Sequence, residues 1–197
     1  MKSLKEDFSL MSSLLIPVAV AINFTGFGIA KLLQVPIFLD SIGTVFISLI
    51  AGPWVGAVTA VIQSMITGSF YPEYFESMPV DIIMALGMGF LARFKMKNIV
   101  IKTFVCAFCL VFIAIVVSAP IIVLVYGGNT GNSTFGITTF FLATGQNIWT
   151  AVFSTNFITE TTDKIITAIV AMAIIKAMSP RYLVKFKYGE NYIKEDK

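Results

Sequence analysis

Long apolar runs are the feature that most restricts how this chain can fold. They cover 8–33, 38–70, 80–94, 99–125 and 165–178, and apolar residues make up 57% of the 197 residues, against 13% for charged residues. A soluble domain has about 25% charged residues. Several runs exceed the roughly 20 residues that a helix needs to cross about 30 Å of hydrocarbon. Because lipid offers the backbone no hydrogen bonds, the runs predict transmembrane helices.

The pattern predicts an all-α integral membrane protein, a six-helix bundle that forms one transmembrane domain over 1–197. The expected spans are about 9–30, 39–51, 53–70, 79–94, 99–126 and 157–178. The run 38–70 is divided at Gly52-Pro53, because proline cannot continue a helix and disfavours helix in the residue before it. The second span is short, so it needs cover from neighbouring helices or a thinner bilayer.

The basic residues predict the orientation of these spans. With six spans and both termini in the cytoplasm, 12 of the 14 lysines and arginines lie on the cytoplasmic side, and only Lys31 and Lys164 lie outside. This is the bias that the positive-inside rule describes. A seventh span at 136–155 would move the basic tail from Arg181 onward to the outside. We therefore interpret 136–155 as an outer-face loop with a partly embedded helix.

The composition excludes several classes of function. The chain has no histidine, which removes the commonest metal ligand and proton shuttle of enzymes. Cys106 and Cys109 lie in the middle of the fifth span, where packing is the more common role. The sequence contains no phosphate-binding loop for nucleotide hydrolysis. We expect neither an enzyme nor a bound metal or cofactor, and the basic residues give no reason to expect nucleic-acid binding.

Polar side chains predict a small-molecule site at the outer ends of the spans. Asp40, Asp81 and Asp163 lie near the starts of the second, fourth and sixth spans, at the same depth. Each could simply stabilise a helix N-terminus. Their convergence favours a polar cup instead, because ionisable groups within membranes usually serve function. The expected substrate-binding residues are Asp40, Asp81, Asn147, Trp149, Asn156, Asp163 and Lys164.

Two further patterns each leave two interpretations open. Lys164 could meet an anionic group of a substrate, or it could pair with Glu160 one helical turn earlier. Gly52, Gly56 and Ala60 recur every four residues along the third span. Such a stripe allows helices to approach closely. It fits packing within the bundle or a docking face for a partner membrane subunit.

Two stretches of the sequence resemble a known family of membrane proteins. Residues 36–44 read Pro-Ile-Phe-Leu-Asp-Ser-Ile-Gly-Thr, and 51–57 read Ala-Gly-Pro-Trp-Val-Gly-Ala. They resemble the substrate-binding S component of energy-coupling factor (ECF) transporters, which import vitamins into prokaryotic cells. The resemblance implies a multi-pass protein of the plasma membrane that binds a vitamin or vitamin precursor outside. It also implies partners, namely a transmembrane coupling subunit and two cytoplasmic ATPases, in an ABC-type importer.

The chain departs from the family pattern at one point, and two other functions stay open. Members often carry Ala-x-x-x-Ala on the first helix. In this chain the residue four positions after Ala19 is Asn23, and the residue four positions after Ala21 is Thr25. The family's cobalt and nickel members use an N-terminal histidine motif that is absent here, so a metal substrate is not expected. The alternatives are a self-sufficient secondary transporter of a small polar metabolite, and a multi-span sensor or partner protein.

Overall fold

A computed structural model describes residues 7–96 and 98–193, and this part of the chain is all-helical and contains no strand. The prediction of an all-α protein is confirmed. Two short 3-10 helices accompany the α-helices, at Pro72–Ser77 and Gly189–Tyr192. The α-helices are α1 (Leu10–Leu33), α2 (Ile42–Ala51), α3 (Pro53–Phe70), α4 (Met78–Leu91), α5 (Ile99–Leu124), α6 (Phe135–Ala143), α7 (Ile148–Ala177) and α8 (Pro180–Leu183).

The helices support the prediction of a membrane protein. Within the described residues, three helical segments are long and apolar enough to cross a membrane, namely Leu10–Leu33, Pro72–Leu91 and Ile99–Leu124. Helices α3 and α7 have 18 and 30 residues but carry many buried polar side chains, which lower their mean hydropathy. The count of six spans and the cytoplasmic position of the termini stay predictions.

Helix α2 is the centre of the fold, and all ten of its residues are buried. It contacts α1, α3, α4 and α7. Ten residues give a helix about 15 Å long, roughly half of the hydrocarbon layer. The neighbouring helices therefore provide the cover that the short second span was expected to need. The predicted break is also confirmed, because α2 ends at Ala51, the next residue, Gly52, has a φ of 115°, and Pro53 begins α3.

A buried polar contact joins α1 to the start of α2. The Asn23 side chain accepts hydrogen bonds from the amides of Gly43 at 2.6 Å and Thr44 at 3.4 Å, and its amide nitrogen donates to the Thr44 hydroxyl at 2.8 Å. A Cβ atom at Gly43 would overlap the carbonyl oxygen of Ala19. The face of α1 that carries Ala19 and Asn23 therefore packs inside the chain.

The segment 136–155 was predicted to be a loop with a partly embedded helix, and it holds most of α6. The predicted start of the last helix at 157 is wrong, because α7 begins at Ile148. The reason is the side chain of Asn147, which accepts a hydrogen bond from the amide of Thr150 at 3.0 Å and so caps the helix.

The segment 184–193 closes the end of the helices where α2 and α4 finish. The amide of Tyr188 donates to the carbonyl of Ile50 at 2.9 Å. The side-chain amide of Asn191 donates to the carbonyl of Ala92 at 2.8 Å. The last carbonyls of a helix lack partners within the helix. This C-terminal segment therefore supplies donors to the ends of two helices, and we call this end of the fold the tail end.

Candidate ligand-binding pocket

A pocket lies at the opposite end of the helices, which we call the pocket end. Its cavity measures about 50 Å³. Ligand pockets of proteins commonly measure about 300–1,000 Å³. The cavity is therefore smaller than a usual small-molecule site, and a ligand larger than a few water molecules needs the walls to move apart. Its walls comprise Phe38, Asp40, Tyr74, Glu76, Ser77, Val80, Asp81, Met84, Ser118, Ile121, Ile122, Asn132, Thr134, Asn156, Thr159, Glu160 and Lys164.

A buried ammonium group forms part of the pocket wall. Lys164 is only 3% exposed, and its Nζ lies 2.6 Å from a carboxylate oxygen of Asp163 and 3.5 Å from one of Glu160. It also lies 3.4 Å from the hydroxyl of Ser41. The predicted pair between Glu160 and Lys164 is therefore present, but Asp163 is the closer partner. A charge at this depth is tolerated because two carboxylates and a hydroxyl surround it.

Asp163 supports the pocket from behind and does not line it. It is fully buried, and one of its carboxylate oxygens accepts hydrogen bonds from the amides of Phe38 at 3.1 Å and Leu39 at 2.8 Å. Leu39 has a φ of 52°, a left-handed conformation that costs energy in a residue other than glycine. The carboxylate of Asp163 thus holds the bend that brings Asp40 to the pocket.

Two further acceptors on the pocket wall are only partly used by the protein. One oxygen of Asp81 accepts hydrogen bonds from the hydroxyls of Ser77 at 3.1 Å and Ser64 at 3.4 Å. Asn156 donates from its amide nitrogen to the Ser118 hydroxyl at 2.7 Å. The second oxygen of Asp81 and the amide oxygen of Asn156 have no hydrogen-bond partner among the described residues. Both side chains are about nine-tenths buried or more, so these oxygens are acceptors available to a ligand.

Aromatic rings cover one side of the pocket. Tyr74, in the 3-10 helix after α3, lies with its ring 6.2 Å from that of Phe38 and 4.7 Å from that of Phe27. The ring of Phe27 also contacts Tyr71, whose face meets the ammonium of Lys31 at 3.2 Å. These contacts attach the 3-10 helix to the end of α1.

A hydrogen bond closes the other side of this cover. The carboxylate of Glu76 accepts a hydrogen bond from the side-chain amide of Asn132 at 3.0 Å. Asn132 lies in the loop between α5 and α6, so the bond links that loop to the 3-10 helix. The two segments together form the lid, which we define as residues 71–77 and 129–134.

The structure brings four of the seven predicted binding residues to the pocket wall, namely Asp40, Asp81, Asn156 and Lys164. Asp163 contacts Lys164 from behind. Asn147 and Trp149 do not reach the pocket, because they lie at the exposed start of α7, where Trp149 stacks on Phe153 with ring centres 6.4 Å apart.

Several residues of the wall were not assigned to the site from the sequence. Glu160 could have been found, because Asn156, Glu160 and Lys164 are spaced by four residues and so share one face of a helix. Asn132 stood out in the sequence only as one of several polar residues of the outer segment. Ser118 carries no signal, since it is a single hydroxyl in an apolar helix.

The stripe of small residues lies inside the chain. Gly52, Gly56 and Ala60 are all buried, and a Cβ atom at Gly56 would overlap the hydroxyl of Ser48 on α2. The stripe therefore serves the contact between α2 and α3, one of the two interpretations that the sequence left open. Docking of a partner through it stays a prediction.

The chemistry of the pocket is that of binding by charge and hydrogen bonds. Within 7–96 and 98–193, no three histidine, cysteine, aspartate or glutamate side chains are placed to hold a metal ion. Cys106 and Cys109 are free thiols on α5, with Cys106 in the hydrophobic core. No protein-family model, no curated protein and no solved structure matches the chain. Its function must therefore be argued from the residues themselves.

Proposed function

We propose that the chain is the substrate-specific membrane subunit of an ECF-type ABC importer. In this role it binds a vitamin or vitamin precursor on the outer side of a prokaryotic plasma membrane. The observation that carries the proposal is the pocket, which collects buried charges of both signs under an aromatic lid in an otherwise apolar helical chain. Buried ionisable groups in a membrane protein are costly and usually serve binding or transport.

The proposed arrangement has six spans, formed by α1–α5 and α7, with both termini in the cytoplasm. The basic residues support it, because in this orientation only Lys31 and Lys164 lie on the outer side. Both are at the pocket end, with Lys164 in the wall and Lys31 beside the lid. The pocket then faces the outside, and the tail end faces the cytoplasm.

The proposal divides the work between this chain and its partners. The chain supplies the binding site, while a coupling subunit and two cytoplasmic ATPases supply the energy for release inward. The absence of a phosphate-binding loop from the sequence agrees with this division. No catalytic step and no cofactor is assigned to the chain.

Uptake measured in cells tests the proposal. The chain is produced in vitamin-auxotrophic cells with the coupling subunit and ATPases, or without them, and accumulation of labelled vitamins is measured. We expect uptake of one compound only when all the subunits are present. Equal uptake without the ATPases would favour a self-sufficient secondary transporter. No uptake of any compound, together with no association with the coupling subunit, would favour a sensor or partner protein.

A matched pair of asparagines tests the location of the site. Asn156→Ala removes an acceptor from the pocket wall, whereas Asn147→Ala changes the same residue type at the start of α7, away from the pocket. We expect the first variant to weaken binding of the transported compound by more than about tenfold, as loss of one buried hydrogen bond predicts. The second variant should bind it normally. Equal affinities would place the site elsewhere.

A further inference from the structure

The charges of the pocket wall do not balance. Four carboxylates line the wall, those of Asp40, Glu76, Asp81 and Glu160, against the single ammonium of Lys164. That ammonium already has a partner behind the wall, the carboxylate of Asp163 at 2.6 Å. Carboxyl groups therefore outnumber ammonium groups in the wall by four to one.

No other cation of the described chain compensates for this excess. Lys31, the nearest candidate by position, lies outside the wall, on the ring of Tyr71 and 3.7 Å from a carboxylate oxygen of Glu73. A buried carboxyl group without a partner favours its neutral form, and a positive charge that enters the pocket stabilises the charged form.

The polar atoms of the wall that lack a hydrogen-bond partner are all acceptors. The second carboxylate oxygens of Glu76 and Asp81 and the amide oxygen of Asn156 are acceptors without a hydrogen-bond partner among the described residues. A ligand that meets them must bring donors. The rings of Phe38 and Tyr74 lie on the same wall, and aromatic faces attract cations.

We propose that the ligand of this pocket is a small organic cation, a protonated amine or a ring with a fixed positive charge. Its positive group lies between the carboxylates of Asp40 and Asp81 and donates to the amide oxygen of Asn156 where it carries hydrogens. Its flat part lies under Phe38 and Tyr74. The inference rests on the proposed function only in that this pocket is taken as the substrate site.

Three probes of similar shape and different charge test the proposal. The purified full-length chain in detergent is heated with benzylammonium, benzyl alcohol or benzoate at equal concentrations, and the midpoint of unfolding is measured. A ligand that binds the folded state raises this midpoint. We expect a rise of at least about 3 °C with benzylammonium and a smaller or no rise with the other two.

Variants assign the effect to the pocket. Asp81→Asn keeps the shape of the side chain but removes its charge, and it should abolish the preference for benzylammonium. Glu190→Gln removes an exposed carboxylate at the tail end and should keep it. If Asp81→Asn does not fold, Asp40→Asn takes its place. Equal shifts with the three probes, a larger shift with benzoate, no shift with any probe, or a preference that survives both pocket variants would each overturn the proposal.

Failure of the cation inference can be distinguished from failure of the proposed importer function. Uptake of a neutral or anionic vitamin through this pocket would overturn the cation inference and leave the importer role intact. Binding of benzylammonium that depends on Asp81, by a chain that associates with no coupling subunit, would do the reverse.

Discussion

Replacing Asp163 should weaken the fold itself, because this side chain serves structure in two directions. It accepts hydrogen bonds from the amides of Phe38 and Leu39, and it is the nearest partner of the Lys164 ammonium. A hydrogen bond to a charged group contributes about 1.5–3 kcal/mol. Breaking a buried ion pair costs about 3–5 kcal/mol. The same group makes all three contacts, so we expect Asp163→Ala to lower the free energy of unfolding by about 3–5 kcal/mol rather than by their sum.

The conservative variant separates the two roles. Asp163→Asn keeps an oxygen for the amides of Phe38 and Leu39 but removes the charge that faces Lys164, so an intermediate loss is expected. Thr162→Ala changes the exposed neighbour and should stay within about 0.5 kcal/mol of the natural chain. Unfolding by SDS titration in mixed micelles measures all three. A loss below about 1 kcal/mol for Asp163→Ala would show that the bend before α2 is held by other contacts.

Two further predictions concern packing and the lid. Gly43→Ala places a methyl group against the Ala19 backbone and should lower the free energy of unfolding by about 1–3 kcal/mol. Gly136→Ala, which meets open space, should be nearly neutral in the same SDS titration. Equal midpoints would contradict the close approach of α1 and α2. Asn132→Ala removes the bond to Glu76 and should speed hydrogen exchange in the lid. Unchanged exchange would mean that the lid does not depend on that bond.

Local sequence signals predicted the parts of the fold that depend on the backbone. The break at Gly52-Pro53 follows from the geometry of proline and holds in the structure. The start of α7 was missed because the distribution of basic residues assigned 136–155 to an outer-face loop, and Asn147 and Thr150 are polar residues that also suit a loop. The same two residues form the cap of α7. Residues of this type occur both in loops and at helix caps, so they do not by themselves show that a helix follows.

For the candidate site, the sequence predicts how far along its helix each residue lies. Asp81 and Asn156 reach the wall at the expected level, and the spacing from Asn156 to Lys164 already places both on one face of α7. Direction around the helix decides the rest. Asp163 is adjacent to Lys164 in sequence, yet it points behind the wall, because successive residues of a helix are about 100° apart. Sequence position alone could not assign the two to different roles.

The C-terminal segment has a consequence for the order in which the protein is completed during synthesis. The carbonyls of Ile50 and Ala92 are made early, but their donors, Tyr188 and Asn191, come much later in the chain. Until then the ends of α2 and α4 lack these partners. The helices can insert and pack as they emerge, yet the tail end is sealed only once residues 184–193 have been made. Nascent chains stalled before 188 should therefore expose this end to proteases.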